Sequence, residues 1–228
     1  MSSILKYTIN IFLLLLVCSQ VEAQKDTTNV ASKTKIINSI GVELDVSPVV
    51  TTFINKNAAY SFEGAVNAEI LKKYFAVVEL GYADADKTAL NGIHFNTSGF
   101  FGRAGFDFSL LKDQPGAKKT IKSYLTGGVR IGMSSATYMT ENVVITDDYW
   151  NTIENYTFHQ PSTNFWYEIV GGIRVEIMKN IFMGWSIRNR NLLTDIETGQ
   201  PYPWYIPGFG IANSTANWGF NYSLGVRF

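Results

Sequence analysis

The chain ends in Trp218-Gly-Phe-Asn-Tyr-Ser-Leu-Gly-Val-Arg-Phe228, which has the clearest structural pattern in the sequence. Successive side chains of a β-strand point to opposite faces, so its strict alternation of apolar and polar residues predicts a two-faced strand. Aromatic rings lie at both ends of the apolar face and aliphatic side chains lie between them, as in a strand that crosses a membrane. The length also fits, because a tilted membrane strand needs about 9–11 residues. The apolar face consists of Trp218, Phe220, Tyr222, Leu224, Val226 and Phe228.

The first 23 residues have the pattern of a secretory signal peptide. Lys6 and the α-amino group give a positive start, an apolar run extends over residues 9–17, and Val21-Glu-Ala23 has the form of a cleavage site. We therefore expect cleavage after Ala23, and export of the remainder of the chain.

Residues 24–36 are polar and lack periodicity, so we expect a flexible periplasmic leader before a barrel domain at 37–228. Cys18 leaves a lipoprotein open as an alternative. If Cys18 departs with the signal peptide, the mature chain has no cysteine and therefore no disulfide, thiol chemistry or cysteine metal site.

The alternation of the last strand recurs upstream, which predicts an all-β fold: an eight-stranded antiparallel up-and-down transmembrane barrel. Long connections are expected after the first, third, fifth and seventh strands, and tight turns after the second, fourth and sixth. Residues 136–164 are the longest predicted loop, and Asp113-Gln-Pro-Gly116 is a predicted turn. This asymmetry fits an N-terminus in the periplasm and long loops outside the cell. The predicted strands are 37–47, 62–70, 75–83, 99–110, 124–134, 165–177, 181–190 and 218–228.

Every arginine of the chain falls on the polar face of a predicted strand, together with several acidic residues. A charge facing lipid at the midplane costs about 2–4 kcal/mol, so these faces are assigned to the lumen. Arginine suits buried bidentate pairing with carboxylates, and an eight-stranded barrel has room only for side chains. We therefore predict a salt-bridged lumen without an open pore. The predicted network is Glu43, Asp45, Glu63, Glu69, Glu79, Arg103, Asp107, Arg130, Glu168, Arg174, Glu176, Arg188, Arg190 and Arg227.

The two rims of the predicted barrel differ in charge. The short turns carry lysines against a single acid: Lys72, Lys73, Lys112, Lys118, Lys119, Lys122 and Lys179 against Asp113. The long loops carry mostly acids: Asp84, Asp86, Glu141, Asp147, Asp148, Glu154, Asp195 and Glu197 against Lys56 and Lys87. Ordinary solvated charge is one interpretation, and binding of divalent cations that bridge lipopolysaccharide phosphates is the other. The residues predict no cofactor and no dedicated metal site.

His94 and His159 fall in predicted outer loops, with Ser98 and Ser162 as possible partners. A histidine with a serine is the catalytic pairing of some eight-stranded lipid A-modifying enzymes. The spacing here matches no catalytic signature, so we predict no enzyme and keep lipid A modification as an alternative.

The stretch Pro201-Tyr-Pro-Trp-Tyr-Ile-Pro-Gly-Phe-Gly210 is conformationally restricted by its three prolines. Its rings are candidates for surface interaction, because tyrosine and tryptophan are good interface anchors. The alternative is that they close the barrel mouth or lie at the membrane interface. The candidates are Tyr202, Trp204, Tyr205 and Phe209.

Three groups of residues together carry a family resemblance. They are Phe100-Phe-Gly-Arg-Ala-Gly-Phe-Asp-Phe108; Trp166-Tyr-Glu-Ile-Val-Gly-Gly-Ile-Arg-Val-Glu176 with Asn180-Ile-Phe-Met-Gly-Trp185; and Tyr205-Ile-Pro-Gly-Phe209 with Gly219-Phe-Asn-Tyr222. They resemble an uncharacterised family of small secreted β-barrel proteins from Gram-negative bacteria, a domain of unknown function. The resemblance implies an outer-membrane barrel of the OmpA/OmpX type, and no ligand or catalytic residue. A terminal outward-facing Phe228 also resembles the signal by which barrel-insertion machinery recognises its clients.

Taken together, the sequence predicts a non-enzymatic, monomeric outer-membrane barrel with a structural or surface-interaction role. The expected partners are outer-membrane lipid, lipopolysaccharide and the insertion machinery, and no nucleic acid. A soluble periplasmic, lipocalin-like carrier is a further alternative. A carrier would turn Leu224 and Val226 inward and Arg174 outward, so the direction of these side chains separates the two.

Overall fold

The computed structural model describes residues 37–48, 59–71, 73–111, 123–147, 152–194 and 202–228. The predicted signal peptide, the leader and the Asp113–Gly116 turn lie outside the described residues. Within those ranges, no helix is both long and apolar enough to cross a membrane.

Eight strands form a closed antiparallel barrel, which confirms the predicted fold. Each strand pairs with its neighbour in sequence, and β1 pairs with β10 through Val42 and Val226 to close the ring. β8 (Tyr205–Ile206) and β9 (Gly210–Ile211) form a separate two-stranded ribbon. The barrel strands are β1 (Ile37–Asp45), β2 (Tyr60–Ile70), β3 (Tyr74–Thr88), β4 (His94–Ser109), β5 (Ser123–Asp147), β6 (Thr152–Met178), β7 (Ile181–Leu192) and β10 (Ala216–Arg227).

The apolar faces of the strands point outward. Leu224 and Val226 are 40% and 41% exposed, whereas Arg174 is only 8% exposed. Tyr222 is half-buried because its ring packs on Trp185, with ring centroids 5.6 Å apart. This orientation contradicts the carrier alternative, which requires an apolar interior.

Two pairs of strands are longer than predicted. β5 and β6 have 25 and 27 residues and pair with each other as far as Asp147 and Thr152. Most of the predicted loop at 136–164 is therefore strand, and the prediction was wrong there. β3 and β4 likewise pair as far as Thr88 and His94 within the predicted loop at 84–96. A strand that has left the apolar belt needs no apolar outer face, so the alternation disappears although the hydrogen-bond ladder continues.

We call the strand segments 84–88, 94–98, 137–147 and 152–164 the projecting sheet. They extend past the ends of the other barrel strands at the loop end, which is the end that contains connections 46–59, 89–93, 148–151 and 193–215. The opposite, turn end contains the short connections 71–73 and 179–180, where Leu71 and Asn180 have positive φ of 52° and 67°. The third connection there, 110–122, corresponds to the predicted connection between strands 99–110 and 124–134, and most of it lies outside the described residues.

Candidate functional site

The lumen contains an ionic network centred on Arg103 and Glu79, which face each other on adjacent strands β4 and β3. The Arg103 guanidinium lies 2.7 Å from Glu63, 2.9 Å from Glu79 and 2.8 Å from Glu168. Arg188 donates to both oxygens of Glu79, at 2.6 and 3.1 Å. One carboxylate is thus shared by several guanidinium groups, which gives buried charges the opposite charges that they require.

The network continues toward the turn end through Asp107. Arg130 lies 3.0 Å from Asp107 and 3.4 Å from Glu79, and Arg174 lies 3.2 Å from Asp107 and 3.0 Å from Glu43. All of these side chains except Glu43 are buried. The space left among them is a polar cavity of about 40 Å³, which is enough for water but for no larger molecule.

The turn end is closed by aromatic rings around Arg227. Its guanidinium carbon lies 4.5 Å from the ring centre of Phe182, 4.8 Å from that of Tyr124 and 5.4 Å from that of Phe75. Its nearest carboxylate, Glu69, is 3.8 Å away. The faces of aromatic rings attract a cation, so these rings hold the charge while they fill the opening.

The loop end is closed by residues 202–212, which we call the mouth loop. Ile206 and Phe209 are completely buried and pack with Phe101, Trp166 and Ala83 from the barrel wall. The rings of Trp166 and Phe209 meet edge to face, with centroids 6.1 Å apart. An aromatic layer therefore covers part of the ionic network at this end.

Hydrogen bonds from the barrel hold the mouth loop in place. Arg103 donates to the carbonyl of Gly208 at 2.8 Å, and Arg190 and Asn217 donate to the carbonyl of Phe209 at 2.9 and 3.2 Å. Gly208 has φ of +78°, and a Cβ there would lie 2.6 Å from the Phe101 ring. Only glycine fits this turn, both in backbone conformation and in space.

The four aromatic residues predicted as candidates for surface interaction all lie in the mouth loop. Phe209 is buried, so its prediction as a surface anchor was wrong, and it belongs to the mouth-closing alternative. The half-buried Tyr202 donates to Asn164 Oδ1 at 3.2 Å, and the Lys87 ammonium lies 4.7 Å from the ring centre of Trp204. Burial raises the pKa of Tyr202 to about 12, and it raises the pKa of Tyr205 as well.

Three acids of the predicted network accept hydrogen bonds from donors other than arginine. Asp45 accepts hydrogen bonds from Ser47 and Asn221 rather than from an arginine. Glu176 accepts from the backbone N–H of Asn180 at the turn end, at 3.1 Å. Glu69 accepts from Ser39 at 2.8 Å in addition to its distant contact with Arg227.

The two histidines lie on strands and not in loops, so that prediction was wrong. His94 Nε2 is 3.4 Å from Asp86, and its Nδ1 is 3.0 Å from the Thr88 hydroxyl. Ser98 is four residues further along β4, which corresponds to about 13 Å. Ser162 is an odd number of residues from His159, and side chains at such a spacing point to opposite faces of a strand. The geometry therefore forms neither predicted serine–histidine pair.

The described residues of the acidic loops form no group that could hold a metal ion. Of the predicted set, the structure gives side-chain surroundings for Asp84, Asp86 and Glu141, and the described part of the chain has no group of three acidic, histidine or cysteine side chains that could hold a metal ion. Asp147 and Glu154 are on the ends of β5 and β6. The other members, Asp148, Asp195, Glu197 and Lys56, lie outside the described residues.

The inward position of Phe101 and Trp166 in an aromatic layer was not predicted from the sequence. The signal was present, because Phe101 lies two residues from Arg103, and Trp166 two residues from Glu168, on the same strand faces. Polar inward neighbours obscured these rings, which pack on the mouth loop rather than on each other.

A family model described as "Domain of unknown function (DUF6048)" matches residues 4–227. The chain belongs to this family. No curated protein matches the sequence.

Solved structures with a similar fold are small β-barrels. The attachment invasion locus protein Ail of Yersinia pestis, in complex with the heparin analogue sucrose octasulfate, is 11% identical with a TM-score of 0.39, over 83% of this chain and 95% of that one. The N-terminal β-barrel domain of Pseudomonas aeruginosa OprF is 13% identical with a TM-score of 0.31, over 84% and 98%. Neisserial surface protein A is 8% identical with a TM-score of 0.34, over 84% and 94%. These values are too low to transfer a ligand or a role.

Proposed function

We propose that the protein is an outer-membrane barrel without an open pore, which anchors the projecting sheet at the cell surface. In this proposal the chain is exported by a cleaved signal peptide, inserted through its terminal strand by the barrel-insertion machinery, and works as a monomer. Its role is structural or in surface interaction with lipopolysaccharide or another partner, and it needs no cofactor or enzymatic activity.

The observation that carries the proposal is the distribution of side chains across the barrel wall. Large apolar side chains on the outer faces are more than half exposed on neighbouring strands, as with Leu80, Phe106, Ile131 and Ile169. A continuous apolar band of this kind exceeds what a soluble monomer exposes, and it matches the surface that acyl chains cover. The charged side chains are meanwhile buried inside, where they do not meet lipid.

The closed lumen argues against transport. The mouth loop covers one end, the rings around Arg227 cover the other, and the ionic network fills the centre. The barrel can then contribute a rigid support, and among the described residues the projecting sheet is the largest element that extends beyond it. In the orientation common to such barrels, short turns face the periplasm and the projecting sheet faces outward.

Surface labelling of matched cysteine variants tests the location and the orientation together. Leu90→Cys places an exposed thiol at the loop end and Lys179→Cys places one at the turn end. We expect a membrane-impermeable maleimide to label the first in intact cells and the second only after the cells are permeabilised. Equal labelling of both, or recovery of the folded protein in the soluble periplasmic fraction, would contradict the proposal.

Measurement of ion conductance tests the closed lumen separately. The purified barrel in a planar bilayer should show no stable channel. A steady open channel in the wild-type protein would contradict that part of the proposal while leaving the labelling result intact.

A further inference from the structure

A polar pocket of about 220 Å³ lies at the loop end, between the mouth loop and the β1, β2 and β10 side of the barrel. An apolar cavity of about 150 Å³ can hold benzene, so a pocket of this volume has room for a small organic molecule. Its wall combines charged groups with the rings of Phe101 and Tyr205. The pocket is separate from the 40 Å³ cavity inside the network, although Asp45, Glu63 and Asn221 line both.

Asp45 brings a negative charge to this pocket. Its carboxylate accepts from the backbone N–H and the hydroxyl of Ser47, at 2.8 and 2.6 Å, and from the side-chain amide of Asn221, all of which are neutral donors. No arginine or lysine of the described residues lies within ion-pair distance of it. Glu63, the other acid of the wall, is already neutralised by Arg103 at 2.7 Å. The pocket therefore offers one carboxylate that no cation of the described residues neutralises.

Arg190 brings a weakly compensated positive charge to the same pocket. Its nearest acid, Glu168, is 3.6 Å away, and the Glu168 oxygen involved already serves Arg103 at 2.8 Å and the Trp166 indole at 2.7 Å. One Arg190 nitrogen donates to the mouth loop, and Nη2 lies over Gly219, where a Cβ would be only 2.5 Å from it. The guanidinium reaches this wall of the pocket because residue 219 has no side chain.

The two charged groups are separated by a distance that one small molecule can bridge. Arg190 lies over Gly219, and Asp45 is bound to Asn221, two residues further along β10, which corresponds to about 7 Å. Asn221 also has a buried side-chain oxygen without a hydrogen-bond partner, next to the Asp45 carboxylate. A buried acceptor of this kind costs stability unless a donor meets it.

We propose that this pocket binds a small zwitterion, a free α-amino acid. Its ammonium group donates to the Asp45 carboxylate and to the free oxygen of Asn221, and its carboxylate accepts from Arg190. The three donors of an ammonium group match two acceptors on one wall, and the guanidinium matches a carboxylate on the other. The rings of Phe101 and Tyr205 leave apolar space for a modest side chain.

Isothermal titration calorimetry on the folded protein in detergent tests the proposal. The probes are glycine, alanine, serine and leucine, each compared at equal concentration, with the N-acetyl and amide derivatives of each as blocked forms. We expect at least one free amino acid to bind, and both of its blocked forms to bind at least tenfold more weakly. Absence of binding by every free amino acid up to about 10 mM, or equal binding by the blocked forms, would overturn the proposal.

Variants of Asp45 and Arg190 test which wall of the pocket binds each charged group of the amino acid. Asp45→Asn and Arg190→Gln should each weaken binding at least tenfold, and the matched control Glu141→Gln, on the projecting sheet, should leave it unchanged. Unchanged binding by a folded Asp45→Asn barrel would overturn the assignment. Should either charge variant fail to fold, as judged by heat-modifiable gel mobility, Ser61→Leu fills the pocket and keeps both charges. Loss of binding in that variant supports the site, and retained binding overturns it.

Discussion

Replacing Glu79 with glutamine removes one negative charge from the centre of the ionic network while keeping the shape of the side chain. Three guanidinium groups contact this carboxylate, with nearest distances of 2.6 Å for Arg188, 2.9 Å for Arg103 and 3.4 Å for Arg130. At an effective dielectric constant near 20, each charge pair at about 4 Å contributes roughly 4 kcal/mol of attraction. Desolvation of the carboxylate offsets most of that sum. Breaking a buried pair from one side costs about 3–5 kcal/mol, and we expect the free energy of unfolding to fall by this amount.

Urea-induced unfolding of the barrel in detergent, followed by tryptophan fluorescence, measures this difference. The matched control is Glu69→Gln, which removes another buried carboxylate whose nearest guanidinium nitrogen is 3.8 Å away. Because that carboxylate has one long ion pair in place of three short ones, the control should lose less stability than Glu79→Gln. If Glu79→Gln were no less stable than Glu69→Gln, the network would not hold the barrel centre in the way that the distances indicate.

Three further predictions test other parts of the structure. Phe209→Ala removes a completely buried ring from the mouth loop. The variant should have a free energy of unfolding lower by about 3–5 kcal/mol, and its Trp166 should become accessible to a fluorescence quencher. Unchanged quenching would show that the loop does not seal the mouth of the barrel. The pKa of Tyr202 is about 12 with the mouth loop closed, against about 10 for an exposed tyrosine, so the closed state binds more protons between these pH values and rising pH should open the loop. Fluorescence quenching should therefore increase between about pH 10 and 12 in the wild type, and Tyr202→Phe should lack this increase. An increase of the same size in both proteins would refute the assignment. Ile131→Arg places a charge on the proposed lipid-facing surface and should cost about 2–4 kcal/mol in lipid vesicles, whereas Leu90→Arg at the loop end should cost less than 1 kcal/mol; equal costs would contradict the membrane assignment.

The fold could be predicted from the sequence because alternate residues of each barrel strand face the apolar exterior and the polar lumen. Alternation placed Leu224 and Val226 outside and Arg174 inside, and both placements agree with the observed exposure. The same rule failed where β5 and β6 continue past the apolar belt. Thr137 and Tyr138, for example, face no lipid on either side, so their pattern did not distinguish strand from loop.

The candidate site was less accessible to sequence reasoning. The alternation along each strand assigned Arg103 and Glu79 to the inner face. It did not show which inward acid each arginine contacts, because that depends on strand register and barrel closure. Arg188 and Glu79 are on β7 and β3, across the lumen from each other, and no local pattern joins them. The position of Phe209 was also not predictable from local sequence, because a proline-rich aromatic stretch is compatible both with an exposed surface loop and with a loop that folds into the barrel mouth.

By itself, the sequence determined that the chain forms an all-β barrel with charges on one side of its wall and apolar side chains on the other. This is so because a period of two is a property of each strand separately and is written into consecutive residues. Only the tertiary structure decided how far the strands run, which charges share a carboxylate, and that residues 202–212 fold back into the mouth. Those features depend on contacts between residues more than a hundred positions apart in some cases, such as Arg103 with Gly208, and such contacts exist only once the ring has closed.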